Sequence, residues 1–206
     1  GGALRSIPDL ARMIGDLGID ATTRAIFYDD ANGLHAARMF WLLEYLGHRH
    51  ASLLDGGWAA WQAAGLPVSK EMRRAEPASF APAVTPRRHA TADLVLATRD
   101  TPETLVIDVR PPELHARGHI PWAVNIPWKR NLGEAGLMKS ADALRAHFEA
   151  FGVSPEQQVI IHCQNGLASS HSYFALRLLG HPLVRVYHRS WAEWGDAGDL
   201  PVAVAS

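Results

Sequence analysis

Two periods alternate along this chain. Short apolar runs read as buried strands: Ala25 to Tyr28, Ala51 to Leu54, Leu105 to Ile107, Ala123 to Ile126 and Val159 to Ile161. Between them, apolar residues recur at helical spacing. Pro8 to Leu17 puts Leu10, Met13, Ile14 and Leu17 on one face, with Gly18 just past its end. Ala36 to Leu46 is closed by Gly47, and Trp58 to Ala64 is stopped by Gly65 and Pro67. Thr91 to Ala97 and Ala141 to Phe151 are further helices, and Pro111 to Arg117 is a short helix or turn. From Ser169 on, Tyr173, Phe174, Leu176, Leu178 and Leu179 predict a helix shortly after the Val159 strand. Asp29 to Gly33 and Gly118 to Pro121 carry turn chemistry. Strands alternating with helices over ~115 residues predict a parallel α/β sheet, with ligands at the carboxyl ends of strands.

The pattern occurs twice. Displaced by 133 positions, Asp30 falls on Cys163, Gly33 on Gly166, Leu43 on Leu176, and Leu46-Gly47-His48 on Leu179-Gly180-His181. Trp58 and Trp61 fall on Trp191 and Trp194. Upstream, Gly18-Ile19 matches Gly152-Val153 at 134. The chain therefore reads as a tandem: residues 1–68 a partial first unit, 69–90 a linker, and 91–206 a complete second unit. Leu94 to Gly136 has no counterpart before Pro8, so the first unit is truncated at its N-terminus. A missing parallel strand predicts an exposed edge and exposed apolar surface there, and a less stable half. The linker holds Pro77, Pro82 and Pro86, which favour an extended course. Its Arg73, Arg74, Arg87 and Arg88 read as solvated surface.

Composition narrows the classes of function. The 206 residues are 48% hydrophobic and 20% charged, with a formal net charge of -1. This is the profile of an ordinary globular chain. It gives no reason to expect nucleic acid or a membrane surface as a partner. No apolar run approaches the ~18 residues of a membrane span. Eleven scattered histidines without an HExxH motif give little support to a metal site. The single cysteine excludes an internal disulfide framework and fits a reducing, cytoplasmic setting.

That cysteine, Cys163, stands just past the Val159 strand and just before a helix. Backbone N–H groups and the helix dipole stabilise an anion at such a position. The sulfur is then a nucleophile or a carrier of a charged sulfur species; the alternative is a small buried hydrophobe. The first unit has an Asp where the second has its Cys, so only the second unit is expected to be chemically competent.

The residues also resemble a known family. Asp108-Val109-Arg110-Pro111-Pro112-Glu113, Gly118-His119-Ile120-Pro121, Ala123-Val124-Asn125-Ile126-Pro127 and the Cys163 loop are similar to a rhodanese domain. Tyr187 to Gly195, with Leu200-Pro201-Val202, resembles the C-terminal signature of tandem-rhodanese sulfurtransferases. Tyr28-Asp29-Asp30 and Leu54-Asp55-Gly56-Gly57-Trp58 resemble their non-catalytic first domain.

The resemblance implies two rhodanese-like parallel-sheet domains and a thiosulfate or 3-mercaptopyruvate sulfurtransferase. Cys163 would take a sulfane sulfur from the donor and pass it to cyanide or a thiol, by covalent ping-pong catalysis with no cofactor and no metal. The N–H groups of Gln164, Asn165, Gly166, Leu167, Ala168 and Ser169 would cradle the persulfide, with Gly166 letting the backbone curl. Arg110 would bind the anionic donor or orient the loop, unless it is tied in an ion pair with Asp108 or Glu113. Asp108 would support the site as a hydrogen-bond acceptor. Trp128 would wall the pocket, unless it is core. Trp191, Trp194 and His119 read as structural. The oligomeric state is not legible.

The loop departs from the family. Many thiosulfate enzymes have Arg at its second or sixth position, where this chain has Gln164 and Ala168. An Arg–oxyanion contact is worth roughly 1.5–3 kcal/mol, so either thiosulfate activity is weak or the charge comes from Arg110 or Arg189. Trp122 replaces a usual Gly, and His188-Arg189 a common Asp-Gly. Two rival readings follow. A dual-specificity phosphatase would need Arg where Ser169 stands. A non-catalytic rhodanese-like binding or regulatory module would explain the missing arginine but not the retained cysteine.

Overall fold

The computed structural model describes residues 2–101 and 103–205. The first unit contains α1 (Ile7–Asp16), β1 (Ala25–Phe27), α2 (Leu34–Tyr45), β2 (Ala51–Leu53) and α3 (Gly57–Ala63). β1 and β2 pair in parallel, Phe27 opposite Leu53. The second unit contains β3 (His89–Ala90), α4 (Ala92–Ala97), β4 (Thr104–Asp108), α5 (Pro112–Arg117), β5 (Val124–Asn125), α6 (Ala141–Glu149), β6 (Gln158–His162), α7 (Leu167–Leu178), β7 (Val184–Tyr187) and α8 (Ser190–Trp194). Its five strands run in parallel in the order β3-β7-β6-β4-β5. The chain moves outward from β4 to β5, then returns through β6 to β7. The change of direction falls at the carboxyl ends of β4 and β6, the place where doubly wound sheets bind ligands. Cys163 directly follows β6 there.

The segment between the units does not swing free. Ala78 N–H donates to the Gly15 carbonyl at 2.9 Å, Ala83 N–H to Leu46 at 2.9 Å, and Thr85 N–H to Tyr45 at 2.7 Å. Phe80 is buried against the first unit. The 69–90 boundary also shifts, because His89–Ala90 form β3 at the edge of the second sheet. Arg88 is not solvated surface: it is buried, and its Nη1 donates to the Pro182 carbonyl at 3.0 Å.

One face of the first unit is open. Ile26 is 68% exposed, whereas Ile160, its counterpart 134 residues on, is 2% exposed. Tyr28 and Val68 are exposed beside it. The other face is shared. A single apolar core joins Leu10, Ile14, Trp41 and Leu43 of the first unit to Ile161, Tyr173 and Leu176 of the second.

α2 and α7 pack against each other about a local two-fold relation. Each has twelve residues, and each starts after a left-handed glycine, Gly33 or Gly166. Residues 133 apart meet across the interface. The rings of Phe40 and Tyr173 lie 6.5 Å apart. Glu44 pairs with Arg177 at 3.0 Å, and the Tyr173 hydroxyl also donates to Glu44. The duplication is thus the packing principle of the molecule as well as its sequence pattern.

Candidate active site

Cys163 is 2% exposed, at the mouth of β6. The Gly166 N–H points at its Sγ from 3.1 Å. The Ser169 hydroxyl lies 3.6 Å from the sulfur and that of Ser190 3.9 Å. The loop is pinned from α8. Trp191 N–H donates to the Cys163 carbonyl at 3.0 Å and Ala192 N–H to the Gln164 carbonyl at 2.9 Å. The Ser190 hydroxyl accepts from Cys163 N–H at 3.1 Å and donates to the Tyr187 carbonyl at 2.8 Å. Ser190 holds φ at +56°, which costs a non-glycine residue about 1–2 kcal/mol. At the matching position the first unit has Gly57, with φ +55°. The strained serine brings a hydroxyl to the cysteine that the glycine lacks.

The backbone bonds correct the register of the repeat. Trp58 N–H donates to the Asp29 carbonyl at 2.9 Å, as Trp191 N–H donates to that of Cys163. The counterpart of Cys163 is therefore Asp29, not Asp30. Before the loops the displacement is 134; after them it is 133. The first loop holds one extra residue, which a fixed displacement cannot reveal.

Asp29 fills its own loop. One carboxylate oxygen accepts from the N–H groups of Ala31 and Gly33, each at 2.8 Å. The other accepts from His35 at 2.8 Å and Ala36 at 2.9 Å. Burial works against the charge, but these four donors outweigh it and hold the carboxyl below its ordinary value. The loop geometry is thus an anion cradle, and in the first unit the anion belongs to the chain itself.

Of the other residues singled out in the sequence, Gln164 and Asn165 are exposed, Leu167 and Ala168 half-buried, and Gly166 and Ser169 buried. All belong to the loop or the first turn of α7. The Asn165 Oδ1 accepts from Leu167 N–H at 3.5 Å, and Ser170 donates to the Gly166 carbonyl at 2.7 Å.

Asp108 is fully buried at the end of β4 and binds Arg110 through Nε at 3.0 Å and Nη2 at 2.7 Å. It also meets His115 Nδ1 at 2.9 Å. Burial opposes its charge, but His162, 3.9 Å away, and Arg110 hold the carboxyl down at about 2. Burial in turn pushes His162 down to about 4. At neutral pH Arg110 is therefore the cation that secures the charge.

Of the two roles open to Arg110, the geometry places it in the ion pair with Asp108. Its guanidinium is spent on Asp108, on the Gly118 carbonyl at 2.6 Å and on the face of Trp191 at 4.4 Å. Arg189 is likewise paired, with Glu193 at 3.1 Å. Trp128 is a core residue, its ring edge-on to His171 at 5.1 Å, and His171 faces the Asp29 loop rather than that of Cys163. His115 and His119 stand four residues apart with rings stacked at 3.9 Å. Among the described residues, no group of three His, Cys, Asp or Glu could hold a metal.

Sequence reasoning missed Ser190 and Arg38, and marked His188 only as a departure from the family. Arg38, on α2 of the first unit, extends to the second unit's loop, with Nη1 3.1 Å from where a Cβ on Gly166 would stand. The doubled pattern could have suggested it, because its counterpart 133 residues on is His171.

Fold and site together define a tandem α/β protein with one cysteine in a loop whose copy in the first unit holds a carboxylate. The model of the rhodanese-like domain matches residues 3–64 and 91–197, and the chain belongs to that family. It is 31% identical over 217 residues to the sulfur carrier protein TtuD of Thermus thermophilus, covering 95% of this chain and 76% of that protein. It is 30% identical over 211 residues to a thiosulfate sulfurtransferase of Pseudomonas aeruginosa, covering 98% and 78%. It is 33% identical over 204 residues to a 3-mercaptopyruvate sulfurtransferase of Rattus norvegicus, covering 93% and 69%. The anaerobic ergothioneine biosynthesis enzyme of Chlorobium limicola shares the fold, with a TM-score of 0.89 at 21% identity. That match covers 98% of this chain but only 56% of the other.

Proposed function

We propose that the protein is a sulfurtransferase working through a persulfide on Cys163. The Cys163 thiolate attacks the outer sulfur of thiosulfate. The new S–S bond forms as the old one breaks, and sulfite leaves with the bonding electron pair. Cyanide then attacks the terminal sulfur, thiocyanate leaves, and the thiolate is restored; a thiol acceptor would serve in the same way. 3-Mercaptopyruvate is the related donor. Gln164 to Ser169 form the cradle, and Asp108 and Arg110 brace its neighbouring strand end. A reducing, cytoplasmic setting suits a lone reactive thiol.

The observation that carries this reading is the Asp29 loop. Its carboxylate oxygens stand as many bonds from Cα as the terminal sulfur of a cysteine persulfide would. They collect the N–H groups of Gly33, His35 and Ala36. By the repeat these correspond to Gly166, Ala168 and Ser169. The same frame, given a cysteine, has donors ready for an anion that arrives and departs.

Steady-state kinetics with varied thiosulfate and cyanide test the proposal. Parallel double-reciprocal lines with equal release of sulfite and thiocyanate are expected. No turnover with thiosulfate or 3-mercaptopyruvate would favour a non-catalytic module.

A further inference from the structure

The Cys163 loop has no cation of its own, and Arg110 and Arg189 are both engaged elsewhere. Arg38 is not. Its guanidinium lies over the Trp41 ring at 4.5 Å. Nη2 donates to His188 Nε2 at 3.0 Å. Nη1 is buried with no hydrogen-bond partner, at the edge of the loop beside Gly166. A buried guanidinium N–H without a partner is costly and rare.

His188 completes the setting. Burial, then Arg38 and His89, push its pKa down to about 3, against a hydrogen bond to the Gly2 backbone. The ring is therefore neutral and accepts from Arg38. Its Nδ1 is also buried without a well-formed hydrogen bond and lies 2.5 Å from the Gly166 Cβ position. The Arg38 Nη1 N–H is thus an unsatisfied donor on one side of the Cys163 loop. Burial lowers Arg38 to about 10, and the nearby Cys163 sulfur opposes that loss; the side chain stays charged at neutral pH.

The local two-fold relation gives the arrangement its logic. His171, the counterpart of Arg38, extends the other way, to within 3.7 Å of the Gly33 Cβ position. Burial pushes it down to about 4, against the pull of Asp29, so it is neutral. Each unit sends one basic side chain to the other's loop. The loop already filled by a carboxylate receives a neutral imidazole, and the loop with the free cysteine receives a permanent cation.

We propose that Arg38, supplied by the sulfur-free unit, is the donor-specificity residue of the Cys163 site, its Nη1 binding the oxyanion end of a charged sulfur donor. This rests on the reading of Cys163 as the sulfur-accepting nucleophile. It assigns the first unit a direct part in substrate recognition.

The test uses the full chain as wild type, Arg38→Gln, Arg38→Met and Arg38→Lys. Two rates are followed by intact mass: sulfur gain from thiosulfate, and alkylation of Cys163 by anionic iodoacetate against neutral iodoacetamide. The neutral variants should lose roughly ten- to hundredfold in the thiosulfate rate. Their iodoacetate-to-iodoacetamide ratio should fall about tenfold, with Arg38→Lys restoring most of it. A ratio that does not change, or equal slowing with both reagents, would overturn the proposal and leave Arg38 a structural residue. Should the wild type gain no sulfur from thiosulfate or 3-mercaptopyruvate, the transfer reading fails. The alkylation ratio then decides the role of Arg38 alone.

Discussion

The two loops of this molecule are one design used in two ways. Both follow a parallel strand, both turn at a left-handed glycine into a twelve-residue helix, and both are pinned by the N–H of a tryptophan. In the first loop Asp29 occupies the cradle with its own carboxylate. In the second, Cys163 stands at the strand end with Gly166 N–H aimed at its sulfur. Three further differences accompany that exchange. The second loop is one residue shorter, Ser190 replaces Gly57, and Arg38 is in place where its counterpart is His171. Duplication has thus left an internal control. The loop that needs no ligand carries a fixed anion and a neutral neighbour, while the loop read as exchanging one carries a thiol and a cation.

The largest expected effect comes from exchanging the two key residues. Cys163→Ser should abolish sulfur gain while changing unfolding free energy by less than about 1 kcal/mol. Adding Asp29→Cys to that variant should not restore it, since the longer first loop faces a neutral His171. Sulfur gain at residue 29 would break the comparison.

The glycines give the next contrast. A Cβ on Gly166, at φ +92°, would meet His188 Nδ1 at 2.5 Å and its carbonyl at 2.6 Å. Gly166→Ala should therefore cost about 2–5 kcal/mol in urea unfolding. At Gly33 the nearest atoms are 3.6 Å away, so Gly33→Ala should cost only the conformational ~1–2 kcal/mol. Equal costs would mean that the second loop is no tighter than the first.

Asp29→Asn should destabilise by about 1–3 kcal/mol at neutral pH. The folded carboxyl lies below its ordinary 3.8, so its contribution is complete above that value and is lost as pH falls below it. The gap between wild type and variant should close in acid. A gap that persists in acid would show that the charge is not what holds the loop.

The smallest effect is at Ser190. Ser190→Gly relieves positive φ but leaves the buried Cys163 N–H without its acceptor, so the two offset and stability should change by less than about 1–2 kcal/mol. The rate of sulfur gain should fall several-fold, because Cys163 N–H and the sulfur both lose the hydroxyl.

Much of this was legible in the residues. Val159 to Ile161 reads as a buried strand because β-branched apolar residues follow one another without a polar break, and β6 is that strand. The doubled glycines and tryptophans disclosed the tandem, because the same turns and caps recur. The Asp29 register was not legible, since one inserted residue shifts the match and only the hydrogen bonds show where. Arg110 was left between two roles, because a charged residue at a strand end fits a ligand or a buried carboxylate equally well in the sequence, and only the fold brings its guanidinium onto Asp108. Arg38 could not be placed from helix periodicity. Its role depends on how α2 crosses α7, which no local pattern encodes.

The central claim is that Cys163, and nothing in the first loop, accepts the sulfur. Intact-mass measurement of the wild-type chain and Cys163→Ser after incubation with thiosulfate or 3-mercaptopyruvate tests it most directly. The account predicts a gain of a single sulfur atom in the wild type alone, removed by cyanide. No gain with either donor, or a gain that survives in Cys163→Ser, would contradict it.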